Sequence, residues 1–212
     1  MRGFMKMAAI TGMLALSSNV SAIPTDFDFS GTFTNDNDIV LLDFSVDSTS
    51  TVTIFSSSWI AGDNGLGFDP ILSIWDSSGN LVQQQDDGHN PGQTLSNGVL
   101  YDHGTWDSYF SISLDAGQYT ASIGQYDNFA VGTTLADGFR YDGNPNFTFD
   151  NGYGTADLFN GVWSTNDTRT GDWEFHLLNV ETASVNVPEP SPLALLGLGL
   201  IGLRLIRKKK EA

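Results

Sequence analysis

The chain has 212 residues, with nine Lys plus Arg against 25 Asp plus Glu, 23 glycines and no cysteine. The basic charge is confined to the ends: Arg2 and Lys6 at one, Arg204, Arg207, Lys208, Lys209 and Lys210 at the other, with Arg140 and Arg169 between them. Setting aside Glu189 and Glu211, residues 23–187 carry 23 acidic groups against those two arginines, a formal −21. Such a body repels phosphate backbones and anionic lipid, which argues against a nucleic-acid partner, and the lack of cysteine excludes thiol chemistry and cysteine-ligated zinc.

The first 22 residues, MRGFMKMAAITGMLALSSNVSA, place Arg2 and Lys6 ahead of an apolar stretch from Met7 to Leu16. Small and polar residues follow, ending with Val20 and Ala22 at positions suited to a signal peptidase. That order of charged, apolar and small segments predicts a secretory signal over 1–22, cut after Ala22. The apolar stretch is too short for a stable membrane span.

From residue 23 the hydrophobic period is two. Val40, Leu42, Phe44 and Val46 alternate with polar or less apolar neighbours, as do Phe110, Ile112 and Leu114, then Tyr119, Ala121 and Ile123, then Trp173, Phe175 and Leu177. These read as half-buried strands. Turn signals separate them: SSGN at 77–80, DDG at 86–88, NG at 97–98 and DAG at 115–117. No stretch of ten residues carries a helical stripe. The prediction is one all-β domain over 23–187, an antiparallel, jelly-roll-like β-sandwich, with Trp173–Val180 as its last strand.

The order of segments over residues 27–128 carries a resemblance. FSGTFTNDNDIVLLDFSV, FDPILSIWDSSGNLVQQQDDG and YFSISLDAGQYTASIGQYDN follow one another. Together they resemble the bacterial pre-peptidase C-terminal type of β-sandwich, in which an acidic loop leads into an apolar strand, a later strand ends in an Asp-small-Gly-Asn hairpin, and an acidic turn follows. The acidic loops NDND at 35–38 and QDDG at 85–88 fall where that family has them. Short-spaced oxygen ligands on loops suit a hard cation, so Asp36, Asp38, Asp86 and Asp87 are the candidate calcium ligands. GDNG at 62–65 reads as a simple turn.

His89 and His103, near Asp86, Asp87 and Asp102, are an alternative metal set. His176 lies opposite the apolar face of its strand and is expected to be solvated. There is no HExxH, no G-x-S-x-G and no Walker loop, so no enzyme signature is present. Trp75 and Trp173 read as core. Trp59, Trp106 and Trp163 lie near turn residues and are the candidates for stacking on sugar rings, which keeps a polysaccharide-binding module as the alternative to a structural role. A secreted hydrolase is the third reading.

The chain ends VPEPSPLALLGLGLIGLRLIRKKKEA. Leu193 to Leu203 is apolar and as a helix rises about 17 Å, short of the roughly 30 Å of bilayer hydrocarbon. Extended to Ile206 it takes in Arg204, whose long stem reaches the interface. The basic cluster would stay cytoplasmic, which places the β domain outside the inner membrane. GLGLIG at 197–202 satisfies G-x-G-x-x-G, but no strand precedes it and no βαβ unit surrounds it, so it is not a dinucleotide loop.

A Pro-Glu-Pro triplet (Pro188, Glu189, Pro190), a short apolar helix and a terminal basic cluster together resemble the PEP-CTERM sorting signal of Gram-negative bacteria. The resemblance implies a sorting segment over 188–212, transient anchoring in the inner membrane, processing near the triplet by an exosortase-type enzyme, and delivery to the cell surface or extracellular matrix. The expectation is a non-enzymatic exported protein.

Overall fold

The computed structural model describes residues 25–59, 67–152, 158–159 and 169–186. The signal segment with Ala22, the 62–65 turn, Trp163 and the tail with Pro188, Glu189 and Pro190 lie outside the described residues.

Eleven strands appear among the described residues: β1 (Thr25–Thr32), β2 (Ile39–Val46), β3 (Ser50–Ser56), β4 (Pro70–Asp76), β5 (Leu81–Asp86), β6 (Gly92–Ser96), β7 (Val99–His103), β8 (Tyr109–Leu114), β9 (Gly117–Gln125), β10 (Asp172–Val180) and β11 (Thr182–Val185). They form a four-stranded sheet in the order β1-β10-β3-β8 and a five-stranded sheet in the order β11-β2-β9-β4-β5. The hairpin β6-β7 joins neither ladder but lies against the four-stranded sheet, where Asn97 donates to Asp28 of β1. Every paired strand is antiparallel. The expected all-β antiparallel sandwich is what the chain forms.

The period-two pattern explains the core. One face of each strand supplies it: Leu42, Phe44 and Val46 from β2, Val52 and Ile54 from β3, Leu72 and Ile74 from β4, Ala121 and Ile123 from β9, and Trp173, Phe175 and Leu177 from β10. Each fully buried aliphatic or aromatic side chain here contributes on the order of 1.5–3 kcal/mol through the apolar surface it removes from water. Trp173 is core as expected. Trp75 is also fully buried, but by alternation with Leu72 and Ile74 it lies on the outer face of β4, edge-on to Phe139 at 6.1 Å.

Two expectations change. Trp173–Val180 is not the last strand, because β11 follows after Glu181 and pairs with β2 from Thr182↔Ser45 to Val185↔Leu42. Residues 129 to about 187 read in sequence as further strands of the same domain; β10 and β11 supply them from 172 to 185, but the described part of the stretch from 129 to 171 does not. It instead contains an isolated bridge between Ala130 and Phe139, a 3-10 turn at Leu135–Asp137 and a single helical turn, α1 (Phe147–Asp150). Asn, Gly and Asp are dense there, and their local side-chain hydrogen bonds compete with a ladder: Asp137 caps the backbone of Thr133 and Thr134, and Asp142 that of Phe139.

Candidate functional site

A cluster of three carboxylates forms where β4 begins and β5 ends. Asp69 immediately precedes Pro70 of β4. Asp86 closes β5 and pairs with Ile71, and Asp87 is the next residue along. One oxygen from each of Asp69, Asp86 and Asp87 lies within 4.8 Å of the other two. Asp69 is buried at 1 % exposure. The Oδ1 atoms of Asp86 and Asp87 are buried and accept no hydrogen bond. Burial, followed by the repulsion of Asp87 and Asp127, pushes the Asp86 carboxyl up to about 7, and burial also raises Asp87.

The local backbone holds the three in place. Asp87 adopts a left-handed conformation at φ 56°, a region that Asp tolerates better than most residues. Gly88 packs so closely on the next loop that a Cβ there would stand 2.7 Å from the Asp107 carbonyl and from Tyr109, and its own N–H donates to that carbonyl. QDDG is thus more than a hairpin turn.

The donors fit a hard cation. Oxygens bound to one calcium ion at about 2.3–2.6 Å lie no more than about 5 Å apart, and the observed spacing meets that limit. Asp86 and Asp87 were among the residues expected to bind calcium; Asp69 was not, because only the pairing of β4 with β5 brings it to them.

Asp36 and Asp38 stand elsewhere and are engaged otherwise. The fully buried Asp36 accepts hydrogen bonds from the N–H of Thr148 at 3.0 Å, the Thr148 hydroxyl, and the N–H of Phe159 at 2.7 Å. Burial raises its carboxyl, and these bonds oppose the rise. Asp38 accepts from the N–H of Thr34 at 2.7 Å and of Asn35 at 2.8 Å, closing its own loop. The structure does not bring these two to Asp86 and Asp87.

A second polar group lies beneath the β6-β7 hairpin. His176 was expected to be solvated; it is 1 % exposed. It does project from the outer face of β10, but its ring lies against Phe55, with centroids 4.3 Å apart, and against Tyr101 of β7, at 4.1 Å. Its Nδ1 stands 2.7 Å from Asp28 Oδ1, and its Nε2 2.9 Å from Ser57 Oγ. The Ser57 hydroxyl also donates to Glu174 at 2.5 Å. This is the connectivity of a Ser-His-Asp triad, but Ser57 is itself 2 % exposed and its proton is directed to Glu174 rather than to the imidazole. The group ties β1, β3, β10 and the hairpin together.

His103 is also buried beside Phe55 and Tyr109, and burial lowers its basicity. His89 is exposed. Neither belongs to the group of carboxylates described above. Trp59 and Trp106 are half-buried and pack on each other at 6.2 Å, with the Arg169 guanidinium 3.3 Å over the Trp59 ring. They do not form an exposed row.

Asn186, which follows β11, is bonded to the sheet. Its N–H donates to the Leu41 carbonyl at 2.8 Å and its side-chain amide to Asp43 at 2.9 Å. At that residue a known sequence pattern begins. Residues 186–210 match the PEP-CTERM protein-sorting motif. This PEP-CTERM segment marks the chain as an exported protein with a membrane-anchored sorting signal of the kind processed by exosortase. Among the described residues, no helix is long and apolar enough to cross a membrane.

No curated protein matches the chain. Among solved structures, it is similar to the pre-peptidase C-terminal domain of collagenase from Bacillus anthracis, at 12 % identity over 76 % of this chain and 90 % of that one, with a TM-score of 0.33. The likeness is loose, and the sandwich rests on the strand pairing itself.

Proposed function

We propose that this is a non-enzymatic exported protein, delivered by its PEP-CTERM segment to the cell surface or extracellular matrix of a Gram-negative bacterium, where the acidic sandwich is the working part. The observation that carries this reading is the match of residues 186–210 to the sorting motif, which begins at the last described residue, Asn186, still bonded to the sheet. The processing partner is an exosortase-type enzyme acting near Pro188, Glu189 and Pro190, with the inner membrane as a transient station. Fractionation of the natural chain beside a Glu189→Ala variant tests it. The natural chain is expected in the surface or matrix fraction and the variant in the inner membrane, and equal distribution would refute the reading.

Calcium binding is part of the proposal. Asp69, Asp86 and Asp87 would hold the ion, which would offset the burial and, after it, the carboxylate repulsion that otherwise keep Asp86 partly protonated at neutral pH. For a body with a formal −21, divalent ions are also a physical means of bringing such domains together or to an anionic matrix. The alternative, a module binding exopolysaccharide through exposed aromatics, gains no support from Trp59 and Trp106, which pack on each other. The hydrolase reading meets a buried serine.

A further inference from the structure

The last strand of the sandwich leaves almost no spacer before the processing motif. Asn186 is bonded to Leu41 and Asp43, and Pro188 lies two residues on, so Val187 alone separates the sheet from the Pro-Glu-Pro triplet. On the far side of the triplet only Ser191 and Pro192 precede the apolar run from Leu193. Asn186 to Leu193 is seven residues, which span at most about 25 Å when fully extended. An enzyme that cuts here must take extended chain on both sides of the scissile bond, between a folded domain and the bilayer. Among the described residues, the element placed to supply extra length is β11, on the N-terminal side.

β11 is built to give way. It has four residues, sits at the edge of its sheet, and has Thr182, Ser184 and Val185 exposed, with only Ala183 packed against the core. The residues just before it are fixed: Val180 is fully buried, and Glu181, 8 % exposed, donates its N–H to Ser45. Strand β10 stays held between β1 and β3 whatever β11 does. Short edge elements with few buried contacts are those that open first.

We infer that β11 is a detachable lead. Resting on the exosortase reading, the processing enzyme takes the chain with Thr182–Asn186 peeled from β2, which frees about 17 Å of chain to swing toward the enzyme. After cleavage β11 pairs with β2 again, so the apolar β2 edge is covered except during processing.

The chain has no cysteine, which makes the test clean. Thr182 and Ser45 are directly paired and their hydroxyl oxygens lie 2.6 Å apart, so Thr182→Cys with Ser45→Cys can lock β11 to β2 after export. With the disulfide verified by mass, the locked chain should be processed about fivefold or more slowly than the natural one, while each single variant keeps the natural rate. Independently, inserting about ten Gly/Ser residues after Asn186 should raise the rate and relieve the lock. Natural rates for both the locked and the lengthened chain would overturn the detachable strand. Glu189→Ala is run alongside: if it alone blocks processing, only the detachable strand fails, and if it is processed normally, the sorting reading fails.

Discussion

Asp69 stands just before β4 and Asp86 closes β5, yet they place carboxylate oxygens within 4.8 Å of each other and of Asp87. The strand pairing that buries Ile71 against Asp86 is therefore also what concentrates negative charge at this end of the sandwich. Removing the charge by a cation should stabilise the domain. Millimolar calcium is expected to raise the melting temperature of the chelated protein by several degrees, an effect lost in Asp69→Asn and Asp87→Asn but kept in Asp36→Asn and Asp38→Asn. Scanning calorimetry reads this directly, and a shift that survives Asp69→Asn contradicts it.

The pH dependence has a definite sign. Asp86 is raised to about 7 in the folded state from about 3.8, so between those values the folded protein holds a proton the unfolded chain has lost. Its stabilising contribution is full below about pH 4 and is lost as pH rises through 7. In chelator, Asp86→Asn should therefore be more stable than the natural chain at pH 7.5 by about 1–2 kcal/mol, with the difference vanishing near pH 4. Urea unfolding at the two pH values measures it.

His176 acts in the opposite direction. Burial holds its imidazole below the ordinary value, although Asp28 and Glu174 pull it up. A base lowered in the folded state contributes stability that is full above about pH 6.5 and is lost as pH falls below it. Comparing the natural chain with His176→Gln should show a stability difference that shrinks on acidification from pH 7.5 to 5.5.

Asp36 is expected to be structural. It takes the backbone N–H groups of Thr148 and Phe159 and the Thr148 hydroxyl at full burial. Asp36→Ala orphans those donors and should cost about 3 kcal/mol or more, with no dependence on calcium. Denaturation with and without chelator separates this from a ligand role.

Much of the fold was legible in the residues. The alternations through Phe44, Phe110, Ile123 and Phe175 located β2, β8, β9 and β10, because a sandwich buries one face of each strand. What escaped was set by tertiary contact. The histidine at 176 does alternate away from the core, but a hairpin anchored by Asn97 on Asp28 covers it. Asp69 meets Asp86 and Asp87 only through the pairing of β4 with β5. β11 is too short to carry a period, and α1 is a single turn. In the tail the reverse held: a tripartite segment carried its meaning in sequence alone.

The central claim is that the tail is an address and not part of the working protein. Intact-mass measurement of the chain recovered from the surface or matrix fraction tests it most directly. The account predicts a form that begins at Ile23 and ends near Pro190, without the apolar run or Lys208–Lys210. A surface form whose mass still includes Leu193 to Lys210 would contradict it.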